Sequence, residues 1–186
     1  MKYAAFAELE TPRLYLRKLK RQDAENYNRF AGSETVTRFM LWKPHLDIPE
    51  SLASIEKSLT RYNEGKYYRW GIAQRETDVL IGIIDLLGFD EERNTCSFAY
   101  MIAEEFWGRG YGTEALTAVL DFAFRQLKVA AVEADHFGDN TASGSVMRKT
   151  GMQYIGTESR KYEKNGISYD APRYRITLEM WKQQNS

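Results

Sequence analysis

Little in this chain points to covalent or metal chemistry. Its 186 residues hold one cysteine, Cys96, and two histidines, His45 and His136. A lone thiol closes no internal disulfide, and on an apolar stretch it reads as a small core residue. Two histidines and one cysteine at scattered positions give no metal-ligand spacing. Charge of one sign is missing too: 26 Lys and Arg stand against 26 Asp and Glu, balanced within each half, so neither a basic arm nor an acidic tail offers a bulk grip on nucleic acid or an anionic membrane. No charged-then-apolar leader opens the chain over Met1 to Glu10, and no apolar run approaches the roughly 18 residues of a membrane span. No repeat, low-complexity tract or linker divides it. The expectation is one cytoplasmic domain over residues 1–186, with its core between about 11 and 181 and no nucleic-acid or membrane partner.

What is present is a change of hydrophobic period. Arg13 to Leu19 alternates as a half-buried strand. Asp23 leads a helix with Ala24, Tyr27, Phe30 and Ala31 on one side, stopped at Gly32-Ser33. Glu34 to His45 reads as an irregular loop with a short helical turn. Asp47-Ile48-Pro49-Glu50 is a capped helix start, and Leu52, Ile55, Leu59 and Tyr62 follow at helical spacing to a stop at Gly65. From Tyr68 the period is two again. Runs around Trp70, from Val79 to Leu87 and from Thr95 to Ile102, joined by short turns, predict an antiparallel meander. After Gly112 comes a helical stripe from Leu116 to Leu127, then a strand from Val129 to His136. A strand, a crossover helix and a strand in this order make a right-handed unit with its two strands parallel. Asn140 to Thr150 reads as a short helix. Met152 to Glu163 and Ser168 to Trp181 read as strands around the hairpin signal Lys164-Asn165-Gly166. The fold class is a single-domain α/β with a mixed, mostly antiparallel sheet.

The most informative stretch is Phe106-Trp107-Gly108-Arg109-Gly110-Tyr111-Gly112-Thr113, between a strand and a long helix. Three glycines in five residues let amide groups point one way, and the helix start adds unpaired donors and the positive dipole end. This is an anion cradle suited to a diphosphate, with Arg109 adding charge. A P-loop would need a lysine after the last glycine, which is absent. Gly110-x-Gly112-x-x-Ala115 fits a dinucleotide fingerprint, with Asp135 about twenty residues on. But that loop opens directly from a strand, whereas here Ala103 to Gly110 intervene, a meander precedes them, and too little chain follows for the rest of a dinucleotide fold. A turn that merely connects strand to helix needs fewer glycines and no arginine.

The ordered set of this loop, Thr11-Pro12-Arg13-Leu14-Tyr15-Leu16-Arg17 before it, and Asn140-Thr141-Ala142-Ser143 with Lys149-Thr150-Gly151-Met152 after it resembles the GCN5-related N-acetyltransferases. Within them it is similar to the branch of the ribosomal-protein alanine acetyltransferases RimJ and RimL, over about Thr11 to Trp181. The resemblance implies a sheet of about six to seven strands with helices on both faces, whose central parallel pair splays around acetyl-CoA. It implies a cofactor site made of Trp107, Gly108, Arg109, Gly110, Tyr111, Gly112 and Thr113 for the diphosphate. Main chain at Tyr100 and Ile102 would pair with the pantetheine arm, Asn140 would hold that arm, and Ser143 would stand near the sulfur.

Direct transfer needs a neutral amine, a route for its proton, and a donor for the departing thiolate. Many members of the wider family place a tyrosine acid where this chain has Met147, which has no proton to give, and this favours Ser143. Capping of the helix by Asn140 with Ser143 as an ordinary first-turn residue is the plainer alternative, and the two are compatible. For the base, Asp85, which interrupts the run Ile81 to Leu87, stands slightly ahead of Asp135, His136 and a water chain. Trp42, Tyr100 and Tyr174 are the candidate walls of the acceptor site, while Trp70 and Tyr62 are expected in the core and His45 at the surface. Lys128, Arg148 and Lys149 are candidates for the cofactor's 3′-phosphate, with ordinary solvated helix-end charges as the alternative. The implied activity moves acetyl from acetyl-CoA to a primary amine without a covalent enzyme intermediate and without metal, in a monomer or homodimer. The acceptor is either a protein N-terminus or a small-molecule amine. A non-catalytic acetyl-CoA-binding sensor is the competing reading.

Overall fold

The computed structural model describes residues 3–64 and 67–185. Eight strands form one sheet: β1 (Leu9–Glu10), β2 (Leu14–Arg17), β3 (Tyr68–Gln74), β4 (Leu80–Asp90), β5 (Thr95–Ile102), β6 (Ala131–Asp135), β7 (Gln153–Lys164) and β8 (Ile167–Thr177). Their order is β1-β2-β3-β4-β5-β6-β8-β7. Every neighbouring pair is antiparallel except β5 and β6. The strand beyond the seven legible in the sequence is β1, two residues that pair with Tyr15 and Leu16.

Helices α1 (Ala24–Ala31), α2 (Glu34–Thr37), α3 (Ile48–Arg61), α4 (Tyr111–Arg125), α5 (Thr141–Lys149) and α6 (Leu178–Gln184) cover both faces. One buried cluster joins Tyr27 and Phe30 of α1 and Ile55 of α3 to Ile83 and Met101 of the sheet. The other joins the apolar stripe of α4 to Trp70, Phe98, Ile102, Met147 and Tyr174. Strand side chains alternate between faces, so on β5 the even residues from Cys96 to Ile102 look toward α4 and α5. Ser97, Ala99 and Met101 look toward α1 and α3.

The local signals act as their chemistry requires. Asp47 caps α3 by accepting from the Glu50 amide at 2.9 Å, with a proline in the first turn. Asn165 and Gly166 both have positive φ, 52° and 76°, as a two-residue hairpin turn demands. α3 ends at Arg61 and passes into a 3₁₀ turn over Tyr62–Glu64, and Gly65 lies outside the described residues. The last strand is shorter than its hydrophobic pattern: Thr177 caps α6 from the Met180 amide, and Trp181 packs from that helix on Phe124 at 5.5 Å. Among the described residues no helix is long and apolar enough to cross a membrane.

Candidate active site

The glycine loop gives α4 an uncapped start. Gly110 is the N-cap residue at φ 81°, in the left-handed region, and Gly108 sits at φ 72°. Gly110 has no side chain to close over the first turn, so the amides of Tyr111, Gly112 and Thr113 have neither an intrahelical partner nor a cap from it. The loop is held from outside by Arg13. Its guanidinium donates to the Arg109 carbonyl at 2.9 Å, pairs with Glu114 at 2.6 Å and lies over the Tyr111 ring at 4.5 Å. Burial raises the Glu114 carboxyl, but hydrogen bonds from the Thr11 hydroxyl and from the amide and guanidinium of Arg13 outweigh it and hold the group below its usual range. Arg13 was legible in the sequence only as part of a strand motif. The acid at Glu114, four residues after a left-handed N-cap, is the signal that links them.

Behind the loop the parallel pair opens. β5 and β6 are in register only at Thr95 with Ala131 and Cys96 with Val132, and Ser97 to Ile102 then run on beside β4 alone. Backbone polar groups point alternately to the two edges of a strand. The Ala103 amide bonds to Ile81 on β4 at 2.8 Å, so the N–H groups of Tyr100 and Ile102 point to the other side, into the opening. The Ile102 carbonyl on that side accepts from the Trp107 indole at 2.7 Å. Trp107, itself half exposed, thereby ties the loop to the strand end.

α5 lines the other arm of the opening. Asn140 caps it by accepting from the Ser143 amide at 3.3 Å. Ser143 is nearly buried, and burial raises the pKa of the Tyr100 phenol on β5 more than Ser143 lowers it. Met147, one turn on, is in the core. Beneath the helix His136 is 7% exposed; its Nδ1 lies 2.7 Å from the Phe137 carbonyl and its Nε2 has no partner. A methyl group on Gly144 would stand 2.6 Å from that Nε2, which is why α5 carries glycine there.

On the opposite face lies an open floor. Ala99 is exposed although β5 is fifth of eight strands, so none of the described residues covers the middle of the sheet there. A cavity of about 320 Å³ to one side is lined by Tyr27, Trp42, Lys43, His45, Arg69 and Met101 among others. A second, of about 290 Å³, is lined by Asp90, Arg93, Ser97, Glu133, Lys161 and Arg173 among others. Asp85 of β4 sits directly opposite Ala99 of β5 and directly opposite Arg69 of β3, and Asp85 and Arg69 form a bidentate ion pair with both contacts 2.7 Å. Glu133 is shared by Arg93, Arg173 and Arg175 at 2.8, 3.3 and 3.5 Å.

Several expected placements change. Trp42 does line a cavity, but Tyr100 and Tyr174 lie on the other face, because strand parity turns both toward α5. Tyr174 is 5% exposed, stacks on His136 and accepts from Arg148 at 2.9 Å, so Tyr174 is not free for a ligand. His45 is half-buried in its loop. It is wedged between Tyr27 and Trp42, with Nδ1 2.9 Å from the Ser51 hydroxyl, and burial lowers its pKa more than Glu50 raises it. Trp70 and Tyr62 are in the core.

A family model described as the acetyltransferase (GNAT) domain matches residues 13–153. The chain belongs to the GNAT acetyltransferases. It is an acetyl-CoA-dependent N-acetyltransferase. This GNAT enzyme is 32% identical to the uncharacterized N-acetyltransferase YoaA of Bacillus subtilis over 92% of its own chain and 97% of the relative. Its fold superposes on a GNAT-family acetyltransferase from Bacillus anthracis with a TM-score of 0.82, at 21% identity over 93% and 99% of the two chains. It also superposes on a spermidine N-acetyltransferase from Vibrio cholerae in complex with CoA and spermine, with a TM-score of 0.79, at 19% identity over 92% and 99%. The uncapped start of α4 and the unpaired edge of β5 fit a phosphate-bearing ligand with an amide-containing arm.

Proposed function

We propose that this GNAT enzyme acetylates the α-amine of a polypeptide N-terminus, as a RimJ/RimL-like member of its family. The charge balance of the floor beneath Ala99 supports this acceptor. The second cavity sets Arg93, Lys161 and Arg173 against Asp90, Glu133 and Asp135, and the first sets Lys43 and Arg69 against Glu50, with Asp85 behind Arg69. A polycationic acceptor such as a polyamine needs an excess of carboxylates, which neither cavity has. Ser97 to Met101 span roughly 13 Å of strand, room for a few extended residues behind the reacting amine.

Acetyl-CoA supplies the acetyl group, activated as a thioester. The amides from Gly108 to Thr113 and the Arg109 side chain hold its diphosphate, and the N–H groups of Tyr100 and Ile102 hydrogen-bond its arm as a neighbouring strand would. Asn140, already capping α5, uses its remaining donors on the same arm. Ser143 donates to the sulfur. Asp85 is committed to Arg69 by two charge-assisted bonds, which makes it a poor base. We assign it the holding of Arg69 at the cavity wall, and the amine's proton goes to water on the open floor.

The test is incubation with acetyl-CoA and a panel of peptides with free N-termini, free amino acids and spermidine, read by thiol release and product mass. Acetylated peptides support the reading, and turnover of spermidine alone overturns it. Ser143→Ala should lower kcat about 100-fold with the KM for acetyl-CoA within twofold. An unchanged kcat would remove Ser143 from the mechanism.

A further inference from the structure

We propose that the cavity beside Arg69 and Trp42 is a side-chain pocket that selects acceptor polypeptides by their first residue, taking a large uncharged one such as phenylalanine, tyrosine, leucine or methionine. This deepens the polypeptide-acceptor reading above and rests on it.

The cavity adjoins the floor on which that reading places the amine. Arg69, Asp85 and Ala99 stand in one row across β3, β4 and β5, and neighbouring strands are about 4.8 Å apart, so the Arg69 backbone is roughly 10 Å from the exposed floor at Ala99. Met101, the next residue of β5 on that face, lines the cavity itself. An acceptor whose amine stays at the unpaired edge of β5 over Ala99 can therefore direct its first side chain into the cavity.

Rings form the wall, and they are fixed before anything binds. His45 is stacked on Tyr27 at 5.9 Å and tilted against Trp42 at 5.3 Å between ring centroids. Ser51 Oγ donates to Asn28 Oδ1 at 2.9 Å, so it accepts from His45 Nδ1, also at 2.9 Å, and the imidazole is held in place. The His45 amide donates to the Ala31 carbonyl at 2.9 Å, and Lys164 holds the carbonyls of Thr37 and Met40 just ahead of Trp42. Side chains that are already ordered lose little freedom on binding, and an aromatic wall favours an apolar or aromatic guest.

Charge narrows the class of side chain. Lys43 and Glu50, of opposite sign and both exposed, mark the mouth. Deeper in, Tyr27, Ser54 and Met101 are uncharged, and the Tyr27 phenol and Ser54 hydroxyl lie 3.2 Å apart and satisfy each other. Burial lowers the His45 pKa, so the ring wall is largely uncharged at neutral pH. Arg69 supplies the inner cation, and Asp85 already neutralises it. A lysine side chain would meet Arg69 with no spare carboxylate, and an aspartate or glutamate would meet Asp85 behind it, so either charge would be buried without compensation. At about 320 Å³ the cavity is at the small end of ligand pockets and suits one large side chain. An alanine, the residue acetylated in the branch this chain resembles, would leave most of it to water.

The test is a series of peptides identical but for the first residue, which is phenylalanine, tyrosine, leucine, methionine, alanine, serine, lysine or glutamate. Each is acetylated by the parent protein and by Trp42→Ala, and kcat/KM is compared. In the parent the four large uncharged residues should exceed the other four by about tenfold or more, the scale on which a filled hydrophobic pocket discriminates. Trp42→Ala should shrink that preference to within about threefold with the KM for acetyl-CoA within twofold, a change of ratio that a general loss of stability does not produce. Trp42→Phe, which keeps a ring, should restore most of it. A parent preference for alanine, serine or a charged first residue overturns the pocket, and so does a preference that survives in Trp42→Ala. The parent series decides the matter even where the variant fails to fold. Peptides acetylated without regard to their first residue remove the pocket alone. If the parent acetylates none of them, the polypeptide reading itself fails and the pocket with it.

Discussion

Single residues in this enzyme are read best by what surrounds them. Cys96 is 2% exposed, and burial pushes its thiol up to about 12. The thiolate is the reactive form, so at pH 8 almost none is present. A thiol reagent such as iodoacetamide should leave Cys96 unmodified in the folded protein and modify it in denaturant, as peptide mass will show, and acetyl transfer should survive Cys96→Ser apart from any loss of stability. Rapid labelling of the native thiol would contradict the burial. The same attention to surroundings separates the two histidines. Burial beside Tyr27 and Trp42 lowers the pKa of His45, while His136 lies under Gly144 with an unpartnered Nε2. Neither environment is visible in the residue's sequence neighbours.

At the level of elements, the loop and α4 form one device. Gly110 keeps a left-handed backbone that costs an L-residue about 1–2 kcal/mol, and its absent side chain leaves the first-turn amides open. A methyl group there would also stand 3.4 Å from Arg13 Nη2. Gly110→Val should therefore abolish acetyl-CoA binding by titration calorimetry while lowering stability by only about 1–3 kcal/mol in urea. Retained affinity would show that the diphosphate sits elsewhere. The loop's composition made this device legible in sequence. Its support was not, because Arg13 lies about a hundred residues earlier and meets Arg109, Tyr111 and Glu114 only once β2 stands beside α4. The hairpin of β7 and β8 was legible from Asn165-Gly166. The α-helical end of the chain was not, because Leu178, Met180 and Trp181 are apolar in a pattern that suits a strand as well as a short helix, and the cap at Thr177 with the contact on Phe124 decides for the helix.

Across the whole molecule the sheet separates two faces, with the glycine loop, α4 and α5 on one and two cavities with α1 and α3 on the other. The hairpin reaches over the second face and is tied there, Lys164 Nζ donating to the carbonyls of Thr37 and Met40 at 2.8 and 2.6 Å. The charged groups that brace the fold give stability a definite pH dependence. Desolvation lowers His45, while hydrogen bonds and ion pairs with Lys20 and Arg17 outweigh desolvation at Asp78, and the contacts with Thr11 and Arg13 do so at Glu114. Each of these groups binds its proton more readily in the unfolded chain, so each contribution is present above the ordinary pKa and lost as pH falls through the lowered one. Urea midpoints should therefore decline from pH 7 toward 5 as His45 takes up a proton, and more steeply below about 4 as Glu114 and Asp78 do. A midpoint that rose on acidification would contradict these pairings.

By itself the sequence determined whatever depends on neighbours in the chain: caps, turns, periods, the glycine loop before α4 and the crossover that makes β5 and β6 parallel. It also carried the family, since an ordered set of local motifs survives without coordinates. Only the tertiary structure decided which side of the sheet each strand residue serves. Tyr100 and Tyr174 face the α4 and α5 side rather than the α1 and α3 side, and Asp85 is paired with Arg69. The physical reason is that strand parity and register set these contacts, and a shift of one residue would exchange the two faces. Register is fixed by packing between elements far apart in the chain.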